Sequence, residues 1–211
     1  MQIFILHADP KASAKMLCDK HVSNQNRENA QLACTVFRHL VPDGDAKADA
    51  MELYKATHEH HPCVVWLKRS SSNFAWFLLH AQATHDEYKR RYPKPTNPDW
   101  VGHDSWRMTQ AVWDNIDMIP FPSDELTVPA VAIAHVSFRA PDEQQWDWGD
   151  VVDAYRRYYV FEKRGFAKWT VPNGKKRKRA ESPSWYSQGQ AFWDRVATVH
   201  SSQWDGTKKR K

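Results

Sequence analysis

The chain has 211 residues, 41% hydrophobic and 26% charged, which suits one soluble domain with a real core or one domain plus an appendage. No apolar run approaches the roughly 20 residues that span a bilayer, the start lacks the basic region and cleavage site of a signal peptide, and three cysteines at no disulfide-like spacing point to a reducing, cytoplasmic setting. The net charge of +5 is lopsided: residues 154–211 carry 15 lysines and arginines against 4 acids, a balance of +11 beside −6 for the rest, which marks either a polyanion binder or a solvated tail.

Ile3-Phe4-Ile5-Leu6 is an apolar run that reads as a short buried strand. Asp9-Pro10 reads as an N-cap and first helical position, with the helix reaching about Val22. Residues 23–27, Ser-Asn-Gln-Asn-Arg, are polar and rich in capping types, and are expected to break it. Leu32, Ala33, Val36, Phe37 and Leu40 predict a stronger helix, ended by Pro42-Asp43-Gly44-Asp45, with 42–52 a surface loop. Residues 54–63 read as a histidine-rich loop, and His61-Pro62 as the entry to a helix. The serines at 70–72 cap the next helix, whose inner face carries Phe74, Phe77, Leu78, Ala81, His85 and Tyr88.

Prolines 93, 95 and 98 end that helix, and 99–145 reads as an irregular insertion. Within it, 105–116 predicts a helix and 128–138 stays open between strand and loop. Asp150 opens a clear helix with Val151, Val152, Tyr155 and Tyr159 along one face. Residues 173–181 read as a basic linker, and 182–211 as a last helix with a basic tail. The expected fold is mainly α: a compact helical domain over 1–172 with a short N-terminal strand and a basic C-terminal extension.

Asp19, Lys20, His21 and Glu28 put an acid, an amine and an imidazole close together. A lysine activated by burial can form a Schiff base with a sugar aldehyde, and a nearby carboxylate can serve as general acid or base. Neighbours on a helix point apart, so the triplet cannot all converge, and the plainer reading makes Lys20 a surface charge. His58, His60, His61 and Cys63 are competent zinc ligands, but their spacing matches no standard pattern and no metal is assigned. Histidines at a helix start also suit phosphate, or an ordinary hydrogen-bonded loop.

Asn73 flanks an apolar stripe. Arg156 and Lys163, two turns apart among Tyr155, Tyr158 and Tyr159, can point at one ligand. Lys175, Lys176, Arg177, Lys178 and Arg179 form a phosphate-binding arm, a nuclear-type signal or a charged linker. No phosphate-loop, dinucleotide or metalloprotease motif occurs, which argues against such chemistry, and no cofactor is expected.

Taken in order, Asp19-Lys20-His21-Val22, Glu28, Thr57-His58-x-x-His61-Pro62-Cys63-x-x-Trp66, Asn73, Tyr155-Arg156-x-Tyr158-Tyr159 and Lys163 resemble a family of small uncharacterised proteins encoded by tailed phages. That family is in turn similar to the phage pyrimidine-dimer DNA glycosylases, compact helical enzymes. The resemblance implies an α-amine nucleophile, exposed after Met removal, working with a carboxylate on the first helix, where Glu28 would stand. Residue 2 here is Gln, whose bulk is expected to keep Met1 attached.

The leading expectation is a phage-type protein acting on duplex DNA or a flipped base in the cytoplasm of an infected cell. Lys20, His21 and Glu28 would be catalytic. His58, His61, Asn73, Arg156, Lys163 and the basic run would bind DNA. Two alternatives stay open: a non-catalytic nucleic-acid or host-factor binder, and a nucleotide-binding small-molecule enzyme.

Overall fold

The computed structural model describes residues 1–133, 146–174 and 176–189. Residues 3–6 belong to the hydrophobic core without regular secondary structure, none more than 6% exposed. Side chains satisfy their backbone: Leu6 N donates to Ser13 Oγ at 2.9 Å, Ser13 Oγ to Phe4 O at 3.1 Å, and Arg156 Nε to Leu6 O at 3.0 Å. The stretch expected as an N-terminal strand is therefore buried as expected but is not a strand; the strands among the described residues are at 170–173 and 176–179.

Helix α1 (Pro10–Met16) starts as expected, with Asp9 Oδ1 accepting from Ala12 N at 2.7 Å. It stops short of Val22, because the break falls at Leu17 and Cys18, and α2 (Asp19–Leu40) runs unbroken through the polar stretch 23–27. Asn24 faces solvent, while Gln25 and Asn26 face inward and their amide nitrogens find acceptors. Gln25 Nε2 donates to Gln2 O at 2.6 Å and Asn26 Nδ2 to Val22 O at 2.8 Å, and both residues are buried.

Arg91, at the end of α5 (Ser71–Arg91), closes the corner between α1 and α2. Its guanidinium donates to Leu17 O at 2.7 Å, Lys15 O at 3.0 Å, Glu87 Oε2 at 2.8 Å and Asp19 Oδ1 at 3.2 Å. The two carbonyls belong to the open C-terminal turn of α1, whose acceptors need partners.

The 42–52 stretch, expected as loop, holds α3 (Gly44–Ala50). Buried Arg38 organises it, donating to Asp45 Oδ1 at 2.9 Å, Asp49 Oδ1 at 2.6 Å and Leu53 O at 3.0 Å. Only glycine fits at 44, since a Cβ there would lie 2.5 Å from Arg38 O. Helix α4 (Pro62–Lys68) is capped by His61, and α5 by Ser70.

Helix α6 (Trp106–Asp114) packs on α2 and α5. Residues 119–133 then return without regular secondary structure, and 123–127 are tied by hydrogen bonds to Trp66 of α4 and to Ser70–Asn73 at the start of α5. Helix α7 (Trp148–Glu162) opens with a capping box between Asp147 and Asp150. Its buried Tyr155 and Tyr159 meet Phe4 edge-on at 6.1 and 5.4 Å, while Phe4 stacks on His21 at 4.1 Å, so α2 and α7 enclose the N-terminal segment.

Strand β1 (Thr170–Asn173) pairs antiparallel with β2 (Lys176–Arg179), so the stretch expected as a linker supplies one exposed arm of a hairpin. The hairpin hangs on Asp19. Thr170 donates to that carboxylate through N at 3.2 Å and Oγ1 at 2.6 Å, and Arg177 reaches it at 3.4 Å while lying over the Tyr92 ring. Residues 184–189 are helical, and Trp185 Nε1 donates to Met16 Sδ at 3.4 Å. The remainder of the expected C-terminal helix and tail, residues 134–138 of the 128–138 stretch and Lys175 lie outside the described residues. The architecture is mainly helical, and no helix among the described residues is long and apolar enough to cross a membrane.

His80 is fully buried, stacked on Trp76 at 5.4 Å, and neither ring nitrogen has a partner among the described residues. Burial lowers its pKa from 6.5 to about 3. The unfolded chain takes up this proton near 6.5 and the folded chain only near 3, so the contribution is complete above 6.5 and is lost as pH falls toward 3. This residue should add a slope of about 1.4 kcal/mol per pH unit in that window. Urea midpoints between about pH 7 and pH 5 should show a shallower slope in His80→Phe, which keeps the stack; equal slopes would contradict the assignment.

Candidate active site

The chain begins in a polar corner. Gln2 N donates to Glu28 Oε2 at 3.1 Å, Gln25 Nε2 donates to Gln2 O at 2.6 Å, and Gln2 Nε2 donates to Ala132 O at 2.9 Å. Residue 2 is thus held by its backbone on both sides and by its side chain, with half-buried Glu28 beneath it. The Met1 α-ammonium is close enough to act electrostatically on His61 and Cys63.

Burial first, then that ammonium and His58, hold His61 below its ordinary pKa. Its Nδ1 accepts from Cys63 N at 3.2 Å, which leaves the proton of the neutral ring on Nε2. His58 shares this turn: His61 N donates to His58 O at 2.8 Å, and the left-handed φ of His58, 52°, makes the bend. Burial drives the Cys63 thiol up to about 11, so it stays protonated and is no nucleophile. The corner therefore gathers an amine, a carboxylate and an imidazole that is neutral at physiological pH.

Lys20 and His21, at the start of α2, meet Lys163, which follows α7, at a separate place around Phe166. Lys20 and Glu28 lie about 12 Å apart along the helix axis. Exposed Lys20 places Nζ over the Phe166 ring at 4.5 Å, and Lys163 lies 6.0 Å from the same ring while donating to Tyr158 Oη at 2.9 Å. Lys20 thus lacks the apolar enclosure that makes a lysine an amine nucleophile.

His21 is buried between Phe4 and Phe166, with Nδ1 hydrogen-bonded to the Tyr159 hydroxyl. Burial above all, with Lys163 and Lys20 adding, lowers its pKa to about 3, so it is a neutral core residue. Neither lysine meets a carboxylate among the described residues, which leaves two cations at an aromatic edge.

Asn73 and Arg156 lie apart from both clusters. Asn73 is fully buried, donating through Nδ2 to Trp66 O and Thr127 Oγ1, both at 2.9 Å, and accepting from Thr127 N at 2.9 Å. Its amide pins the 119–133 segment. Arg156 Nε serves Leu6 O, and its guanidinium lies 5.5 Å from the Trp185 ring centre, beside Asp153 and Arg157 in a cavity of about 210 Å³. Lys176, Lys178 and Arg179 are exposed on β2, whereas Arg177 is tied to Asp19.

Residues 1–100 match the family model of pyrimidine dimer DNA glycosylase. The match runs from the N-terminal segment through α5 and contains Gln2, Glu28, His58 and His61, so this chain is similar to a DNA-acting enzyme family over the part that builds the polar corner. Ala132, Lys163 and the hairpin lie beyond it. No curated protein and no solved structure matches the chain.

The sequence reading missed Gln25, and with it the importance of the backbone nitrogen at residue 2. A signal was present. His21, Gln25 and Glu28 recur at helical spacing, which puts one imidazole, one amide and one acid on a single face. Reading 23–27 as a break hid that face.

Proposed function

We propose that the protein excises damaged bases from DNA as a glycosylase with an N-terminal amine nucleophile and Glu28 as its proton acceptor. The observation that carries this reading is the 3.1 Å hydrogen bond from Gln2 N to Glu28 Oε2, which keeps the first backbone nitrogens of the chain beside a carboxylate. With Met1 retained, the nucleophile is the Met1 amine, near His61. Were Met1 removed, the amine would be the Gln2 nitrogen itself.

The neutral amine bonds to sugar C1′, and the C1′–N bond breaks with its electrons leaving on the base, which takes up a proton. Glu28 accepts one amine proton. The ring then opens at C1′–O4′, the second amine proton goes to that oxygen, and an imine remains. Water hydrolyses the imine to an abasic sugar and the free amine. The Nε2–H of His61 supplies a donor to the leaving base. The base must be out of the stack for the amine to reach C1′.

Lys20 and Lys163, with Lys176, Lys178 and Arg179 on the hairpin, serve as backbone-phosphate contacts in this reading. The likeness of the motifs to tailed-phage proteins supports a phage-type setting in an infected cell. The test is borohydride trapping on a duplex with a preformed abasic site, followed by digestion and mass mapping. The adduct is expected on the N-terminal peptide. An adduct on Lys20, or none at all, would overturn the assignment.

A further inference from the structure

We infer that Gln2 is a positioning residue, and that the amine it presents is that of a retained Met1. This rests on the glycosylase reading above, which takes the first amine of the chain as its nucleophile. Residue 2 is held at three points. Its N donates to Glu28 Oε2 at 3.1 Å, its carbonyl accepts from Gln25 Nε2 at 2.6 Å, and its side chain donates through Nε2 to Ala132 O at 2.9 Å.

The seat of that side chain is itself fixed. Ala132 N donates to the Tyr155 hydroxyl at 3.2 Å, and the Gln2 amide lies beside the same hydroxyl. Tyr155 is fully buried on α7. The segment that leads to Ala132 is pinned to α5, where Thr127 N donates to Asn73 Oδ1 and Asn73 Nδ2 to Thr127 Oγ1, both at 2.9 Å. On the other side, buried Gln25 is steadied by a second bond from Nε2 to Asn29 Oδ1 at 3.2 Å. Ala132 and Tyr155 lie beyond the residues that match the family model, so the seat is built from segments outside that match.

Removal of Met1 would leave glutamine first, a residue that consumes its own amine. The α-nitrogen attacks the side-chain carbonyl carbon, the bond from that carbon to Nε2 breaks, and ammonia leaves with the amine's proton. The nitrogen is then a lactam amide, its lone pair delocalised into the carbonyl, and it cannot attack C1′. With Met1 in place, Gln2 N is already a peptide nitrogen, so the step is barred and the side chain keeps its bond to Ala132. Met1 is half-buried with its side chain packed on the core, and its ammonium reaches His61 electrostatically. Gln2 N takes up Oε2 of Glu28, which leaves Oε1 for the proton of an amine one residue away, about 3.8 Å along the chain. The resemblance drawn from the sequence implies an amine bared by Met removal; the contacts of residue 2 argue for one a residue further out.

The test joins intact mass with borohydride trapping on a duplex that carries a preformed abasic site. The wild-type protein is expected to carry Met1, with its adduct on a peptide that begins at Met1. Gln2→Met keeps the bulk that retains Met1 but deletes the donor to Ala132. A misplaced nucleophile loses rate rather than affinity, so single-turnover trapping at saturating DNA should fall at least about tenfold. The half-saturating DNA concentration should stay within about twofold of wild type, with melting unchanged. Tyr155→Phe loosens Ala132 from the other side without altering the first residues, and should show the same split. A wild-type chain that begins at Gln2 or its lactam, or an adduct on a peptide beginning at Gln2, would overturn the Met1 assignment. Variants that both trap at the wild-type rate, or that lose binding and melting in step with rate, would overturn the positioning role. A wild type that carries Met1 yet gives no adduct, or gives one on a lysine, would instead remove the glycosylase reading, and this inference with it.

Discussion

Glu28→Gln is expected to slow base excision by roughly 10²–10⁴-fold, the usual contribution of a positioned general acid or base. The fold should survive the change. The carbonyl oxygen of the new amide can still accept from Gln2 N, so the 3.1 Å contact and the placement of the N-terminus have a substitute. What disappears is the ability to take a proton from the attacking amine. Single-turnover excision, read beside a melting curve, separates the two effects: a large rate loss with little change in melting is the expected pair. Lys20→Ala serves as the contrast. Lys20 is exposed and about 12 Å from Glu28 along α2, so its loss should weaken DNA binding and its salt dependence while sparing the trapped imine. A Glu28→Gln protein that excises at the wild-type rate would end the assignment of this carboxylate.

The helical class and most helix positions were legible because apolar spacing and capping chemistry are local. Asp9-Pro10, His61-Pro62 and Ser70 cap α1, α4 and α5 where the sequence placed them. The errors share one cause: partners distant in sequence. The 23–27 stretch stays helical because Gln25 meets a carbonyl at residue 2, and α3 exists because Arg38 gathers Asp45 and Asp49. Residues 3–6 stay buried without a sheet because Ser13 and Arg156 supply hydrogen bonds to their backbone.

The site divided along the same line. Lys20, His21 and Lys163 do meet, but around Phe166 and with the imidazole sealed in the core. Glu28, His58 and His61 meet at the N-terminus instead. A one-dimensional reading can put polar residues on one helix face. It cannot tell which of them water reaches, and that decides whether an imidazole titrates or packs.

Arg91→Met is expected to cost roughly 3–5 kcal/mol, the range for breaking a buried ion pair by deleting one partner. Arg91 is 2% exposed and makes four hydrogen bonds, two to α1 carbonyls and two to carboxylates. Deleting it leaves the Lys15 and Leu17 carbonyls without their donor. The carboxylates are partly insured: Glu87 keeps Arg90 at 2.7 Å, and Asp19 keeps Thr170 at 2.6 Å. The lower end of the range is therefore expected, which in a chain of this size is a fall in melting temperature of roughly 6–12 °C. Pairing the change with Glu87→Met should recover part of the loss, because the buried charge left behind is then removed. The hairpin reports the same event. Its first strand hangs on Asp19, and Asp19 is held from below by Arg91, so trypsin should cut at Lys176–Arg179 faster in Arg91→Met than in wild type. A variant that melts within about 2 °C of wild type would show that the corner between α1 and α2 is held by packing alone.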